Sequence, residues 1–164
     1  MKAQVYILMG SESDLSVMQE AEKVLQQFAV PCCMHIASAH RSPEKVLGLV
    51  QQAESDGAKV IIAGAGFAAH LAGVIAGHTV LPVIGVPLAS STLQGFDSLL
   101  STVQMPSGIP VASMAIGPTG AKNAAVFALE ILATSDAHLR QRLKDYRLQM
   151  QRDIEAKDAK LQGK

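Results

Sequence analysis

Five short apolar runs recur along the chain, each stopped by glycine, serine or proline and each followed by a stretch with helical spacing. They run from Val5 to Met9, Cys32 to Ala37, Lys59 to Ala63, Leu81 to Val86 and Val111 to Ile116. Strand–helix alternation repeated in this way predicts a three-layer α/β domain with a parallel sheet of about five strands. After the first run, Ser11 or Ser13 can cap a helix whose apolar positions are Val17, Met18, Ala21, Val24, Leu25 and Phe28. After the second, Pro43 opens a helix with Val46, Leu47, Leu49, Val50 and Ala53 on one stripe and Gly57 at its end. After the third, about Phe67 to Ala76 is apolar all round, which predicts a helix buried on every side. The segment from Leu93 to Gln104 reads as partly helical, and Ala121 to Ala133 as a helix with an Ala-rich face. Ser135 is placed to cap a last helix carrying Leu139, Leu143, Tyr146 and Met150, and the charged tail from Asp153 is expected to fray or extend as an arm. The expected organisation is one α/β domain over 1–152, large enough for a substantial core, and a tail over 153–164.

Charge narrows the function classes. The 14 Lys and Arg balance 14 Asp and Glu, so the electrostatic footprint of a nucleic-acid or anionic-membrane binder is missing. Between Val60 and Ala121 the only formally charged side chain is Asp97. A surface so poor in charge implies that other subunits cover much of it. Val60 to Gly77 has the length of a membrane span, but Gly64, Gly66, His70, Gly73 and Gly77 interrupt it, and a strand, a glycine turn and a buried helix explain it better. The run up to Met9 is too short for a signal peptide and leads into Ser11-Glu12-Ser13-Asp14. Adjacent Cys32 and Cys33 point to opposite sides of a strand and are poorly placed to bridge each other. Two reduced thiols, at least one of them buried, suit a reducing compartment and a cytoplasmic protein.

In an open parallel sheet, ligands bind beyond the carboxyl ends of the strands. The chemistry-bearing residues collect there. Ser11, Ser13 and Asp14 follow the first strand: the hydroxyls suit a phosphate, while Asp14 either caps the helix or accepts hydrogen bonds from sugar hydroxyls. Ser38-Ala39-His40-Arg41-Ser42-Pro43 follows the second, where Arg41 offers an anion a planar fork and His40 titrates near neutrality. Gly64 and Gly66 follow the third and let backbone approach a small flat ligand. His70 is either a second site histidine or a hydrogen-bonded core residue. His35 and His78 read as structural or exposed, and His138 falls in the first turn of the last helix.

Cofactor signals are weak or missing. Gly64-Ala65-Gly66-Phe67-Ala68-Ala69 matches G-x-G-x-x-A, but after the third strand and with no Asp or Glu from Ala58 to Phe96 to hold a ribose. Gly117-Pro118-Thr119-Gly120-Ala121-Lys122 is not a P-loop, the absence of Trp disfavours flavin stacking, and no metal-ligand spacing is present. The cysteines lie roughly 20 Å from the ligand edge at ~3.3 Å per residue, too far for a nucleophile. The remaining chemistry is proton transfer on a small sugar phosphate or nucleotide, without cofactor.

Met9-Gly10-Ser11-x-Ser13-Asp14, Ser38-Ala39-His40-Arg41-x-Pro43, Gly64-Ala65-Gly66-x-Ala68-Ala69-His70-Leu71, and Asp97-Ser98-Leu99-Leu100-Ser101 with Gln104-Met105-Pro106 resemble the N5-carboxyaminoimidazole ribonucleotide mutase family of purine synthesis. The resemblance covers about residues 3–150. It implies a flavodoxin-like domain, a homo-octamer, and no metal, ATP or biotin. It further implies that Ser11, Asp14 and Arg41 bind substrate, with Ser13 and Ser38 near the phosphate. His40 is then the acid/base, and His70 lines the pocket. Two positions depart from the family's pattern: Phe67 stands where glycine is usual, and Ala72 where proline is usual. The alternatives are a sister enzyme that carboxylates aminoimidazole ribonucleotide directly with CO2, a nucleotide-binding module without turnover, and a dinucleotide-dependent oxidoreductase. Arg41 and the Gly-Ala-Gly-x-Ala-Ala-His run favour the mutase branch.

Overall fold

The computed structural model describes residues 2–163. The described residues form two compact units, one up to Ala128 and one from Leu129 onward. The first contains a five-stranded, all-parallel sheet of β1 (Val5–Met9), β2 (Cys32–Ile36), β3 (Val60–Ala65), β4 (Val83–Pro87) and β5 (Ala112–Ser113), in the order β2-β1-β3-β4-β5. This is the flavodoxin-like order. The helices between strands are α1 (Leu15–Gln27), α2 (Pro43–Asp56), α3 (Leu71–Ala76) and α4 (Phe96–Val103), and α5 (Pro118–Ala133) follows the last strand. The three inner strands are buried along nearly their whole length, as helices on both faces of a parallel sheet require. The edge strand β2 is only half-buried.

Register sets the site. Met9 pairs with Ile36 on one side and Gly64 on the other, so β1, β2 and β3 reach one edge of the sheet together. The chain leaves β1 to build β2 on one side and returns to build β3 on the other. That reversal opens a crevice beyond the carboxyl ends of β1 and β3.

Several expected boundaries move. The third helix begins at Leu71 rather than near Phe67, because Phe67 adopts a left-handed φ of 53° and the His70 N–H turns back to the Ala68 carbonyl at 2.8 Å. It is not buried on all sides: Leu71, Ala72, Ile75 and Ala76 are buried, and Gly73 and Val74 are partly exposed. β5 is two residues long, shorter than the apolar run that suggested it. In the second unit, α6 (Ala137–Leu161) is capped by Asp136, whose carboxylate accepts the Leu139 N–H at 2.9 Å, and not by Ser135. Of the two expectations for the charged segment from Asp153, it extends and does not fray: α6 continues through it to Leu161. Gln149 to Asp153 and Gln151 to Glu155 pairs, each at 2.7 Å, support it on the solvent side. No helix among the described residues is long and apolar enough to cross a membrane.

Candidate active site

Beyond the ends of β1, β2 and β3 lies a cavity of about 360 Å³. Its walls are Gly10, Ser11, Ser13 and Asp14; Ser38, Ala39, His40 and Arg41; Ala65, Gly66, Phe67, Ala68, His70 and Leu71; and Ser90. Of the nine residues singled out from the sequence, His40, Ser11, Ser13, Asp14, Ser38, Arg41, Gly66 and His70 line this one cavity. Gly64 is not among the residues lining it. It sits inside β3, where a Cβ would collide with the buried Met18 Sδ of α1. Its bare Cα serves helix–sheet packing.

The loop after β1 is built from its own hydroxyls. Ser11 caps a 3-10 turn over Glu12–Asp14, and its Oγ lies 3.0 Å from the Ser13 Oγ. Asp14 is buried with only 6% of its surface exposed. Burial raises its carboxyl above the usual range, while the Ser11 backbone, the Ser13 hydroxyl and Arg41 pull the other way. A buried carboxylate with this much desolvation is poised to take hydroxyl donors from a ligand.

Arg41 ties two strand ends together. Its Nη2 donates to the Gly10 carbonyl at 2.9 Å, and its backbone N–H and Nε donate to the Ser38 Oγ at 3.2 and 3.4 Å. Ser42 closes the turn, its Oγ accepting the Ser38 N–H at 2.9 Å. The guanidinium is therefore held at the cavity wall before any ligand arrives, with Nη1 left to serve an anion.

His40 and His70 meet across the cavity. Nε2 of His40 lies 2.9 Å from Nδ1 of His70, and the rings are nearly perpendicular at 76°. Both side chains are exposed. His70 is thus not the core residue that its apolar surroundings in sequence allowed. It precedes α3 instead of lying within it.

Sequence reasoning missed Ser90. It lies three residues past β4, at another carboxyl end, and a Cβ on Gly66 would collide with its Oγ and Cβ. The buried Ser98 of α4 fixes this loop by donating to the Leu88 carbonyl at 2.9 Å. The position past a strand end was the available signal. Phe67, between Gly66 and His70, carries a left-handed φ of 53° that costs a non-glycine residue about 1 kcal/mol or more.

The remaining titratable groups lie elsewhere. Cys32 and Cys33 are free and half-buried, so neither is fully buried as expected. Cys32 pairs in register with Val5, at the far end of the sheet from Met9, and burial pushes its thiol up to about 11. Burial also raises Cys33. His35 stacks on Tyr6 at 5.8 Å, and burial lowers its basicity. His78 and His138 are exposed. Among the described residues, no three His, Cys, Asp or Glu side chains gather as a metal-binding group.

The profile of the family described as AIR carboxylase matches residues 4–153. A Pyrococcus horikoshii protein named N5-carboxyaminoimidazole ribonucleotide mutase is 53% identical over 161 residues, which cover 98% of this chain and 90% of that protein. An Escherichia coli K12 protein of the same name is 53% identical over 145 residues, covering 88% and 86%. The crystal structure of Treponema denticola PurE superposes with a TM-score of 0.87 at 31% identity, covering 96% of this chain and 97% of that one.

Proposed function

The chain belongs to the AIR carboxylase family, and on that premise we propose that it is an N5-carboxyaminoimidazole ribonucleotide mutase, an isomerase of purine biosynthesis. The observation that carries the reading is the meeting, in one cavity, of His40, the anchored Arg41, the serines Ser11, Ser13 and Ser38, and buried Asp14. Arg41 and the serines take the phosphate of a ribonucleotide. Asp14 accepts hydrogen bonds from ribose hydroxyls. The imidazole base then lies toward His40, beside the small walls of Ala39, Ala65 and Ala68.

The reaction is a carboxyl migration. The bond from the exocyclic nitrogen to the carbamate carbon breaks, its electron pair stays on nitrogen, and His40 delivers a proton there. The product pair is aminoimidazole ribonucleotide and CO2. The ring carbon attacks that CO2, and the new carbon–carbon bond leaves a proton to be lost. His40 removes it and aromaticity returns. The proton count closes on one residue, so no external acid or base is consumed. Apolar walls favour neutral CO2 over the charged carbamate.

The active assembly in this reading is a homo-octamer in the cytoplasm. Exposed Val80, Leu93, Phe96, Leu100 and Val103 support association, the last three lying on one stripe of α4. The half-buried free thiols support a reducing compartment. Residues 1–152 are proposed to act as the catalytic domain.

The test is substrate choice. Purified protein is given N5-carboxyaminoimidazole ribonucleotide in one reaction and aminoimidazole ribonucleotide with bicarbonate in another, and the carboxylated product is followed by ultraviolet absorbance. Rapid conversion of the carbamate supports the mutase. Conversion only of the second mixture assigns the direct carboxylase. Binding without conversion in either assigns a non-catalytic nucleotide-binding module.

A further inference from the structure

In the proposed reaction the nucleotide carries two anionic groups, a phosphate at one end and a carboxylate at the other. Arg41, Ser11, Ser13 and Ser38 serve the phosphate, Asp14 the ribose and His40 the proton. That leaves the carboxylate without a donor. Among the described residues that line the cavity, the other side chains able to donate a hydrogen bond are His70, which is bonded to His40, and Ser90. Ser90 is exposed, and its hydroxyl has no partner among the described residues.

Position sets Ser90 apart from the other serines of the cavity. They follow β1 and β2, and it follows β4. In the order β2-β1-β3-β4, the end of β4 lies two strands from β1 and three from β2, roughly 10 and 14 Å at about 4.8 Å per strand. A nucleotide whose phosphate rests at the ends of β1 and β2 therefore extends across β3 toward Ser90. The loop that carries Ser90 is anchored. The Leu88 N–H donates to the Ala65 carbonyl of β3 at 2.9 Å, and the Leu88 carbonyl accepts the Ser90 N–H at 3.0 Å and the Ser98 hydroxyl at 2.9 Å. A Cβ on Gly66 would lie 2.3 Å from the Ser90 Oγ, so the bare Cα of Gly66 is what lets this hydroxyl settle against the end of β3.

We propose that the Ser90 hydroxyl donates a hydrogen bond to the carboxylate of the nucleotide, to the carbamate before migration and to the ring carboxylate after it; the inference rests on the mutase reading. A neutral donor suits this reaction. A cation at the same place would hold the carboxylate in its charged form and oppose its release as CO2. A single O–H orients the carboxyl group and gives up its bond when the charge leaves.

The test compares two nucleotides that differ only in the carboxylate. Wild type and Ser90→Ala are titrated calorimetrically with 4-carboxy-5-aminoimidazole ribonucleotide and with aminoimidazole ribonucleotide. Conversion of the first ligand to the carbamate on the protein leaves it carboxylated, so the comparison holds during turnover. The substitution removes one exposed oxygen, and binding of aminoimidazole ribonucleotide reports that the rest of the site is intact. Ser90→Ala is expected to bind the carboxylated nucleotide about tenfold more weakly and aminoimidazole ribonucleotide within about twofold of wild type. Unchanged affinity for the carboxylated nucleotide overturns the proposal. So does an equal loss for both nucleotides, because Ser90 then acts through the shape of its loop. A wild type that binds neither nucleotide overturns the mutase reading itself, and the inference with it.

Discussion

Nε2 of His40 lies 2.9 Å from Nδ1 of His70, so the imidazole after β2 is hydrogen-bonded to the one that precedes α3. One ring nitrogen must donate and the other accept, which couples the tautomers of the two rings and aims the remaining His40 nitrogen, Nδ1. His70 is a positioning residue in this account. His70→Ala is expected to lower kcat roughly fivefold, in line with one lost hydrogen bond of about 1 kcal/mol, and to change KM much less. Steady-state kinetics check this, and His70→Asn, which can still accept a hydrogen bond, is expected to recover part of the loss.

Asp14 is buried as a carboxyl at a cost to the fold. Burial raises its folded-state pKa above that of the unfolded chain, so the folded state binds the proton more tightly. The sign follows: stability falls as pH rises from the unfolded to the folded pKa, and the penalty stays in full at neutral pH. Asp14→Asn is therefore expected to raise the thermal midpoint of the ligand-free protein at pH 7, with the gain shrinking below about pH 4. The same variant is expected to bind the nucleotide at least about tenfold more weakly. Calorimetric melting at both pH values and isothermal titration check the two halves.

The two glycines flanking Ala65 divide into packing and site. Gly64→Ala meets Met18 in the core and is expected to cost about 1–3 kcal/mol of stability with a small effect on KM. Gly66→Ala meets Ser90 at the cavity wall and is expected to lower kcat/KM about tenfold or more, by displacing that loop. Denaturant melts and kinetics on both variants separate the roles.

The thiols are bystanders. Burial raises both, and Cys32 lies at the end of β2 remote from the cavity. The double variant Cys32→Ala, Cys33→Ala is expected to keep kcat/KM within about twofold, and the native thiols to alkylate slowly at pH 7. Timed alkylation with residual activity measures both.

Much of this was legible because parallel sheets collect function at one edge. Ser11, Asp14, Ser38, His40 and Arg41 could be gathered once the strand ends were placed, and the register of Met9 with Ile36 and Gly64 brings those ends together. Gly64 could not be separated from Gly66 by sequence, because a glycine spared for Met18 and one spared for Ser90 look alike. The residues alone left His70 open between site and core, because an apolar run continues through Phe67; the left-handed backbone there delays α3 and exposes the imidazole. The end of α6 was hidden by the opposite property. A charged helix without an apolar stripe has no periodic signal, and its support comes from pairs such as Gln151 to Glu155.

The central claim is that His40 moves the proton in a cofactor-free carboxyl migration. The most direct measurement is a single-turnover reaction of excess protein with N5-carboxyaminoimidazole ribonucleotide, with chelator present and ATP omitted, for wild type and His40→Asn. His40 is exposed, so the variant is expected to fold and bind nucleotide as wild type does. The account predicts rapid product formation by wild type and a rate roughly 10²–10⁴-fold lower in the variant. A variant that binds normally and reacts within about threefold of wild type would contradict it.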